Sequence, residues 1–381
     1  MTTYTGGDVV VYYVDGEDGN DSNSDAEAQS TSTPWKTIQH AFDRVASADS
    51  SSPSDGDEVR IMKTSNDKTY YSYTAKLTVV WSSKEVVITG CNSSGVPDGT
   101  QVTIWGDQLN GTTPIMEFSQ RNSKYSTFCN IYFDGDDTSQ HGIEATAANI
   151  NNCHFTNCRF SQNTSHGLEF NNNSNYWNFS HCRFDNNGGD GCRQTATGNY
   201  NLYHRCLFDN NAAYGLYLDK NSRVSECIFY NNTGDGLRIN TEGAFICNCI
   251  FDDNEDGLVI DGPTGQALII DCVSTNNSGY GVYLDSSTTT RMINFHTKSN
   301  SSGSKRLDST DQLSIFNQYE DTVLSWENAA GLDFTPTTSS QNISNGTLIP
   351  YKYFNSNNSD GGIGTFRISN YQVPSHLPRR H

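Results

Sequence analysis

The residues best suited to chemistry recur two positions after a repeated glycine. They are carboxylates, arginines and tyrosines: Glu144, Glu169, Arg193, Tyr217, Arg238 and Tyr283. Such side chains can bind a glycan, because aromatic rings pack against sugar rings while charged groups bond to hydroxyls. The alternative is a solvated face on which Glu–Arg and Tyr–Arg pairs simply stabilise a sheet. The pattern therefore predicts a surface, which either binds a ligand or stabilises the fold.

Two of these positions also raise the question of catalysis. If the repeats stack, the carboxylates of Glu144 and Glu169 come near the separation that a retaining glycosidase uses. Arg238, within Gly236-Leu-Arg-Ile239, superficially resembles a hydrolase motif, but no paired aspartates precede it. The sequence contains no convincing Ser/His/Asp or Cys/His triad. It therefore leaves the catalytic residues unassigned.

An acidic run precedes the first regular repeat. The carboxylates of Asp134, Asp136 and Asp137 could hold calcium, which prefers hard oxygen ligands. The alternative is an acidic surface turn. Calcium is the one cofactor that the sequence suggests.

A cysteine–glycine repeat must position all of these residues. The glycine follows the cysteine by nine residues, and once by eight, in the pairs Cys158/Gly167, Cys182/Gly191, Cys206/Gly215, Cys227/Gly236, Cys249/Gly257 and Cys272/Gly281. Successive cysteines lie 24, 24, 21, 22 and 23 residues apart. Such a period is typical of a solenoid, in which each unit buries its apolar face only against its neighbours.

Apolar residues alternate within each unit, which indicates strands with one face inward. Three short strands and tight turns in about 21–25 residues predict one coil of an all-β parallel β-helix, with outward side chains about every 4.8 Å down the stack. The residue before each glycine should form a second outward column, comprising His141, His166, Asp190, Tyr214, Asp235, Asp256 and Tyr280.

A recurring asparagine lies four residues before most of the glycines. These side chains should form a hydrogen-bonded ladder inside a turn. Its members are Asn163, Asn187, Asn211, Asn232 and Asn277, with Asn254 in the shortened repeat. The shortened repeat, Cys249 to Gly257, predicts a local bulge.

The flanks differ from the repeat. Residues 1–56 hold a short strand, an acidic loop and an amphipathic helix that begins at Pro34 and would cap the stack. One face of that helix carries Trp35, Ile38, Ala41, Phe42 and Val45. Residues 57–304 form the β-helix, with early strands at 58–62, 77–80, 85–89 and 101–105. Residues 305–381 form an irregular closure and tail.

Charge and cysteine content limit the function. A formal charge of −19 disfavours nucleic acid and, without a bridging cation, polyanionic glycans, whereas neutral glycans remain compatible. The eleven cysteines mostly occupy equivalent repeat positions, which favours a column of reduced, buried thiols and assembly in a cytoplasm. Neither a signal peptide nor a membrane-spanning run is evident.

Three stretches together resemble the right-handed parallel β-helix proteins of the pectate-lyase-like superfamily. Residues 13–23 with 34–41 resemble the family's entry strand and capping helix, and the Cys-x-Phe coils resemble its repeat. Residues 328–336 with 361–364 resemble the closing segment of many such proteins from phages and marine bacteria. The resemblance implies a right-handed coil. It leaves the function open among lyases, hydrolases, epimerases, tailspikes and adhesins.

We expect a non-catalytic, virion-associated or surface β-helix, structural or adhesive in role, that presents a face to a glycan or to another subunit. It would assemble in the cytoplasm as a homo-oligomer and act on a virion or an extracellular surface, without nucleic acid or membrane partners. The alternative is a polysaccharide lyase or glycoside hydrolase that acts on an extended glycan.

Overall fold

The chain folds into three long parallel sheets that wind around one core. The computed structural model describes residues 10–46, 57–79, 81, 85–119, 125–195, 200–240, 243–261, 266–285, 289–307, 312–316, 319–320, 326–328 and 333–336. From the strand Val86–Cys91 to the strand Gly303–Leu307, each coil contributes one strand to sheet A, then one to sheet B, then one to sheet C. Every pairing within these sheets is parallel, so the predicted parallel β-helix is confirmed.

The strands are short, and most have three to six residues. Sheet A contains Val11–Val14, Asp57–Met62, Val86–Cys91, Ser126–Cys129, His154–Thr156, Asn178–Ser180, Asn201–His204, Ser222–Ser225, Ala244–Cys247, Gln266–Ile270, Thr289–Ile293 and Gln312–Phe316. Sheet B contains Val102–Trp105, Ile131–Asp134, Arg159–Ser161, Arg183–Asp185, Leu207–Asp209, Ile228–Tyr230, Ile250–Asp252, Val273–Thr275, His296–Lys298 and Tyr319–Glu320. Sheet C contains Leu77–Val79, Met116–Phe118, Ile143–Ala145, Leu168–Phe170, Cys192–Gln194, Leu216–Leu218, Leu237–Ile239, Leu258–Asp261, Tyr280–Asp285 and Gly303–Leu307.

A helical cap adjoins the first coils, as predicted. The helix spans Ile38–Ala46, so the predicted start at Pro34 is wrong, because Trp35 instead bridges to Val14 of sheet A. The predicted apolar face is buried, and the Phe42 ring meets Trp81 edge-on at 5.1 Å. Two shorter helical segments, Glu27–Gln29 and Asp67–Tyr70, lie beside the same end. No helix of the described residues is long and apolar enough to cross a membrane.

Aromatic rings stack along the core at the spacing of the strands. In sheet B the inward phenylalanines are nearly parallel, with centroids 4.7–5.2 Å apart, as Phe133, Phe160, Phe184, Phe208, Phe229 and Phe251. All six are fully buried. Because each coil presents the same residue to the next, the core is continuous and no coil has a core of its own.

Six cysteines at equivalent repeat positions form a buried column, namely Cys158, Cys182, Cys206, Cys227, Cys249 and Cys272, and all eleven cysteines of the chain are free. The Cys182 thiol, for example, donates to the Phe155 carbonyl of the preceding coil at 3.4 Å. Burial raises the pKa of the Cys153 thiol to about 12 and that of Cys182 well above its usual value. The column therefore packs as small apolar side chains, as predicted.

The recurring glycine is required by the distance between coils. A Cβ added to Gly191 would lie 2.6 Å from the carbonyl oxygen of Gly215, and one added to Gly215 would lie 2.6 Å from that of Gly236. Contacts between real Cβ atoms and backbone are not that short. Any larger residue would push neighbouring coils apart.

The asparagine ladder is confirmed in every repeat. The side-chain amide of each asparagine donates to Oδ1 of the next at 2.7–3.2 Å, along Asn163, Asn187, Asn211, Asn232, Asn254, Asn277 and Asn300. The predicted bulge near Gly257 is wrong, because the flanking strands keep their register. This repeat is instead one residue shorter in the turn between Asn254 and Gly257.

The division of the chain at residue 304 stays a prediction. Gly303–Leu307, Gln312–Phe316 and Tyr319–Glu320 still pair in parallel with the preceding coil. Trp326–Asn328 and Asp333–Pro336 then form an antiparallel pair within the predicted closure. The proposed tail lies outside the described residues.

Candidate functional site

The predicted outward column lies along sheet C in the expected order. Glu169 pairs with Glu144 on one side and with Arg193 on the other, and the register then continues through Tyr217 and Arg238 to Tyr283. Val259, which lies between Arg238 and Tyr283, is fully buried although its position alternates outward. The accessible column therefore contains a break at that coil.

Sequence reasoning missed two members of this column. Glu117 precedes Glu144 in register, and Arg306 follows Tyr283. Both lie outside the cysteine–glycine repeat that defined the column. The alternation Met116-Glu-Phe118 was the one available signal for Glu117.

The second column, just before the glycines, mainly binds backbone. Nδ1 of His141 accepts the backbone N–H of His166 at 3.2 Å, and Nδ1 of His166 accepts that of Asp190 at 2.8 Å. Oδ1 of Asp190 accepts the N–H of Tyr214 at 3.0 Å. These side chains thus form a second inter-coil ladder, and His141, Asp190 and Asp235 are buried. The prediction that the column faces outward is wrong for those three.

The two histidines converge on one carboxylate. Nε2 of His141 lies 3.1 Å from Oε2 of Glu169, and Nε2 of His166 lies 3.9 Å from Oε1. The imidazole rings stack with centroids 5.3 Å apart. Because each Nδ1 accepts a hydrogen bond, a neutral ring carries its proton on Nε2, the atom that faces Glu169.

The contact of His141 with Glu169 is close but poorly directed. Among the described residues, the buried Nε2 of His141 has no hydrogen-bond partner that satisfies both distance and angle. We therefore treat the 3.1 Å approach as electrostatic attraction, which leaves a buried donor at the edge of the face.

The two glutamates have pKa values that move apart. Burial raises the pKa of Glu144, and the charges of Glu169 and Glu117 raise it further. Burial would also raise the pKa of Glu169, but the contact with His141 and the nearby imidazoles lower it overall. Oppositely shifted carboxyls are typical of acid–base pairs. Asn171 bridges them, because its Nδ2 donates to Oε1 of Glu144 at 2.8 Å and to Oε2 of Glu169 at 3.4 Å.

A metal ion fits this cluster poorly. Among the described residues, His141, Glu144 and Glu169 are the group whose ligand atoms converge, all within 4.8 Å of one another. Metal binding through Nε2 of His141 requires that atom to be unprotonated, whereas the bond at Nδ1 places the proton there. The cluster thus suits proton chemistry better than metal binding.

Two of the three predicted calcium ligands, Asp134 and Asp136, have protein partners. Oδ1 of Asp134 accepts the backbone N–H of Asp136, and Asp134 is almost fully buried. The Asp136 carboxylate pairs with Nζ of Lys68 at 2.6 Å. These contacts give the calcium prediction no support, and it stays a prediction.

The other half of the face combines tyrosines with paired arginines. Arg193 bonds to Asp190 at 2.8 Å and lies over the Tyr217 ring, 5.0 Å from its centroid. Arg238 bonds to Asp235 at 2.9 Å and lies 5.4 Å from the Tyr214 ring.

The tyrosines themselves form part of the same platform. The rings of Tyr214 and Tyr217 stack 5.9 Å apart, and both side chains are half-buried. The face therefore offers fixed aromatic surfaces, while acidic neighbours largely neutralise the charge of its arginines.

Comparison with known proteins agrees with this architecture. The family described as the right-handed β-helix region matches residues 69–244 and 197–319. No curated protein matches the chain in sequence.

Several solved structures share the fold at low identity. The Geobacillus virus E2 ORF18 protein is 16% identical with a TM-score of 0.60, over 83% of this chain and 62% of that one. Pectate lyase Pel9A is 14% identical with a TM-score of 0.55, over 87% and 90%. The A-module of the Azotobacter vinelandii mannuronan C-5 epimerase AlgE4 is 13% identical with a TM-score of 0.53, over 81% and 95%. Such identities show the fold alone. The family match spans more than half of the chain and shows that this chain belongs to the right-handed β-helix family.

Proposed function

We propose that the protein is a structural or adhesive β-helix that binds an extended, neutral glycan along the outward face of sheet C. The observation that carries this proposal is the platform of Tyr214 and Tyr217, held between Arg193 and Arg238. Coils repeat about every 4.8 Å, so successive sugar rings of an extended chain can meet successive coils. Because Asp190 and Asp235 pair with the arginines, the face favours hydroxyls over anionic groups.

The setting of this activity is part of the same proposal. A phage protein shares the fold, as do proteins named pectate lyase and mannuronan epimerase. We place this chain on a virion or an extracellular surface, as a homo-oligomer. Mass photometry should then give a trimer or larger assembly, and a monomer at micromolar concentration would contradict that placement.

Binding can be tested with an array of neutral oligosaccharides, followed by calorimetric titration of the best ligand. Tyr217→Ala should weaken binding at least tenfold, which corresponds to about 1.4 kcal/mol. Tyr230→Ala is the matched control, because Tyr230 lies on sheet B and should leave the affinity unchanged. The proposal fails if no neutral glycan binds or if both variants bind equally well.

A second candidate function is glycoside hydrolysis at Glu144 and Glu169. It is favoured by the opposite pKa shifts of the two carboxyls and by the proximity of their oxygens. Glu144, with the raised pKa, would donate a proton to the leaving oxygen, and the ionised Glu169 would act as nucleophile. The histidine contacts would hold Glu169 in its ionised form.

Catalysis can be tested by incubation with a polysaccharide panel. New reducing ends would indicate hydrolysis, and absorbance of unsaturated products would indicate a lyase. Hydrolysis by this pair requires Glu169→Gln and Glu144→Gln each to abolish the signal. No product from any polysaccharide, or full activity in either variant, would reject the assignment.

A further inference from the structure

A groove of about 750 Å³ lies on the outward face of sheet A, away from the face described above. Its lining includes Tyr200, Arg223, Phe245, Leu268 and Arg291. Four of these lie in one continuous register, in which Arg223 pairs with Phe245, Phe245 with Leu268 and Leu268 with Arg291. Two arginines therefore lie three coils apart, roughly 14 Å, with an apolar strip between them.

The charge of this groove contrasts with that of the whole chain. Among the described residues that line it, two are arginines and none is acidic. Several arginines of sheets B and C are held by carboxylates, as in Arg159–Asp185 and Arg193–Asp190. The structure records no ion pair to Arg223 or Arg291 from any described residue. In a chain with a formal charge of −19, two exposed guanidinium groups thus have no carboxylate partner among the described residues.

The contacts of Arg223 leave its hydrogen-bonding edge available. Its guanidinium lies over the Phe245 ring, 5.2 Å from the centroid. Stacking of this kind uses the face of the guanidinium, while the N–H groups around its edge can bind a carboxylate in a bidentate manner.

Tyr200, at the rim of the groove, stacks on a second tyrosine, Tyr176. The rings of Tyr176 and Tyr200 lie 5.6 Å apart, and the two residues are 52% and 59% exposed. Both have left-handed backbone, with φ of 59° and 62°, which is unusual for a bulky residue. Both aromatic side chains therefore lie largely in solvent, and packing in the core does not explain their presence.

We propose that this groove binds an acidic oligosaccharide whose sugar carboxylates pair with Arg223 and Arg291. Sugar rings between those carboxylates lie against Phe245 and Leu268, and the Tyr200 ring stacks on a sugar at the rim. A uronic acid chain carries the two features that the groove can bind: sugar-ring faces for the apolar strip and planar carboxylates, at intervals, for the arginines. The repulsion expected from the net charge of the chain does not decide the matter here, because the charged groups among the described lining residues are the two arginines.

The test is calorimetric titration with hexagalacturonate, with cellohexaose as the neutral comparison. Wild-type protein should bind the uronate, more weakly at higher salt, and should bind it at least tenfold more tightly than R223Q/R291Q does. Phe245→Ala should also weaken binding. The matched control Arg44→Gln removes one positive charge from the helical cap and should bind as wild type does.

Four outcomes would overturn the proposal: no binding of hexagalacturonate, equal loss in Arg44→Gln, tighter binding of cellohexaose, or tighter binding of an aspartate-rich peptide. Urea midpoints should confirm that each variant folds. Tyr217→Ala should bind hexagalacturonate normally, so a failure of this site is distinguishable from a failure of the sheet C face.

Discussion

The asparagine ladder and the outward face of sheet C follow one another along the chain in each coil. The residue type of the ladder stays constant from coil to coil, whereas that of the face changes. The ladder keeps the same residue along seven coils, from Asn163 to Asn300, because each amide must fit the one above it. The face changes from Glu169 to Arg193 to Tyr217 in successive coils. Uniformity here marks residues that hold the stack together, and variation marks a surface free to acquire a ligand.

The largest loss of stability should come from a substitution at a position that is constant from coil to coil, such as the repeated glycine. Gly215→Ala places a Cβ 2.6 Å from the backbone oxygen of Gly236 and close to the Asn232 amide. Because backbone must move, we expect a loss of about 3 kcal/mol in the free energy of unfolding. Urea unfolding measures this directly.

Gly99→Ala is the matched control, since nothing lies within 4 Å of a Cβ there, although its φ of 93° adds some strain. A smaller loss for Gly215→Ala than for Gly99→Ala would contradict the close approach of the coils.

A smaller effect should come from Glu169, where the face and the histidine ladder meet. Its folded pKa is lowered, so ionised Glu169 stabilises the fold above the unfolded value near 4.5. That contribution is lost as the pH falls through the folded pKa. Glu169→Gln should therefore lower the unfolding free energy by about 1 kcal/mol at pH 7, and the difference should shrink at acidic pH.

Glu144→Gln should change the free energy of unfolding in the opposite direction. The pKa of Glu144 is raised, so its ionisation at pH 7 opposes folding, and the neutral variant should be as stable as wild type or more stable. Equal destabilisation by both substitutions across all pH values would show that the two carboxyls do not differ in environment.

The cysteine column should show the smallest response, because its thiols are buried in the folded protein. Burial raises the pKa of Cys182, Cys227 and Cys249, and thiolate is the reactive form. A thiol reagent at pH 8 should leave these residues unmodified until urea is added, and then label all eleven cysteines. Fewer than eleven labelled cysteines after unfolding without reductant would indicate disulfides.

Most of the fold could be predicted from the sequence repeat. Cysteine, asparagine and glycine recur because coil-to-coil contact demands them, so they also predicted the register of Glu144 through Tyr283. The exact start of the capping helix was not predictable, because Trp35 forms a β-bridge to Val14 instead of lying in the helix.

The site was less accessible to sequence reasoning. His141 and Asp190 each lie two positions before a buried core residue, and they turn their acceptors toward backbone N–H groups of the next coil. The groove on sheet A escaped notice because Arg223, Phe245 and Leu268 share no residue type, and only their register brings them together.

The most direct test of this account compares two residues of one coil, Asn211 and Tyr217, in parallel urea unfolding of their alanine variants. Asn211 is buried and bonded to Asn187, Asn232 and the Phe184 carbonyl, so its loss should lower the unfolding free energy by about 2 to 3 kcal/mol. Tyr217→Ala should change it by less than about 1 kcal/mol. Equal losses, or a larger loss for Tyr217→Ala, would contradict the claim that the ladder holds the stack while the face is free to bind.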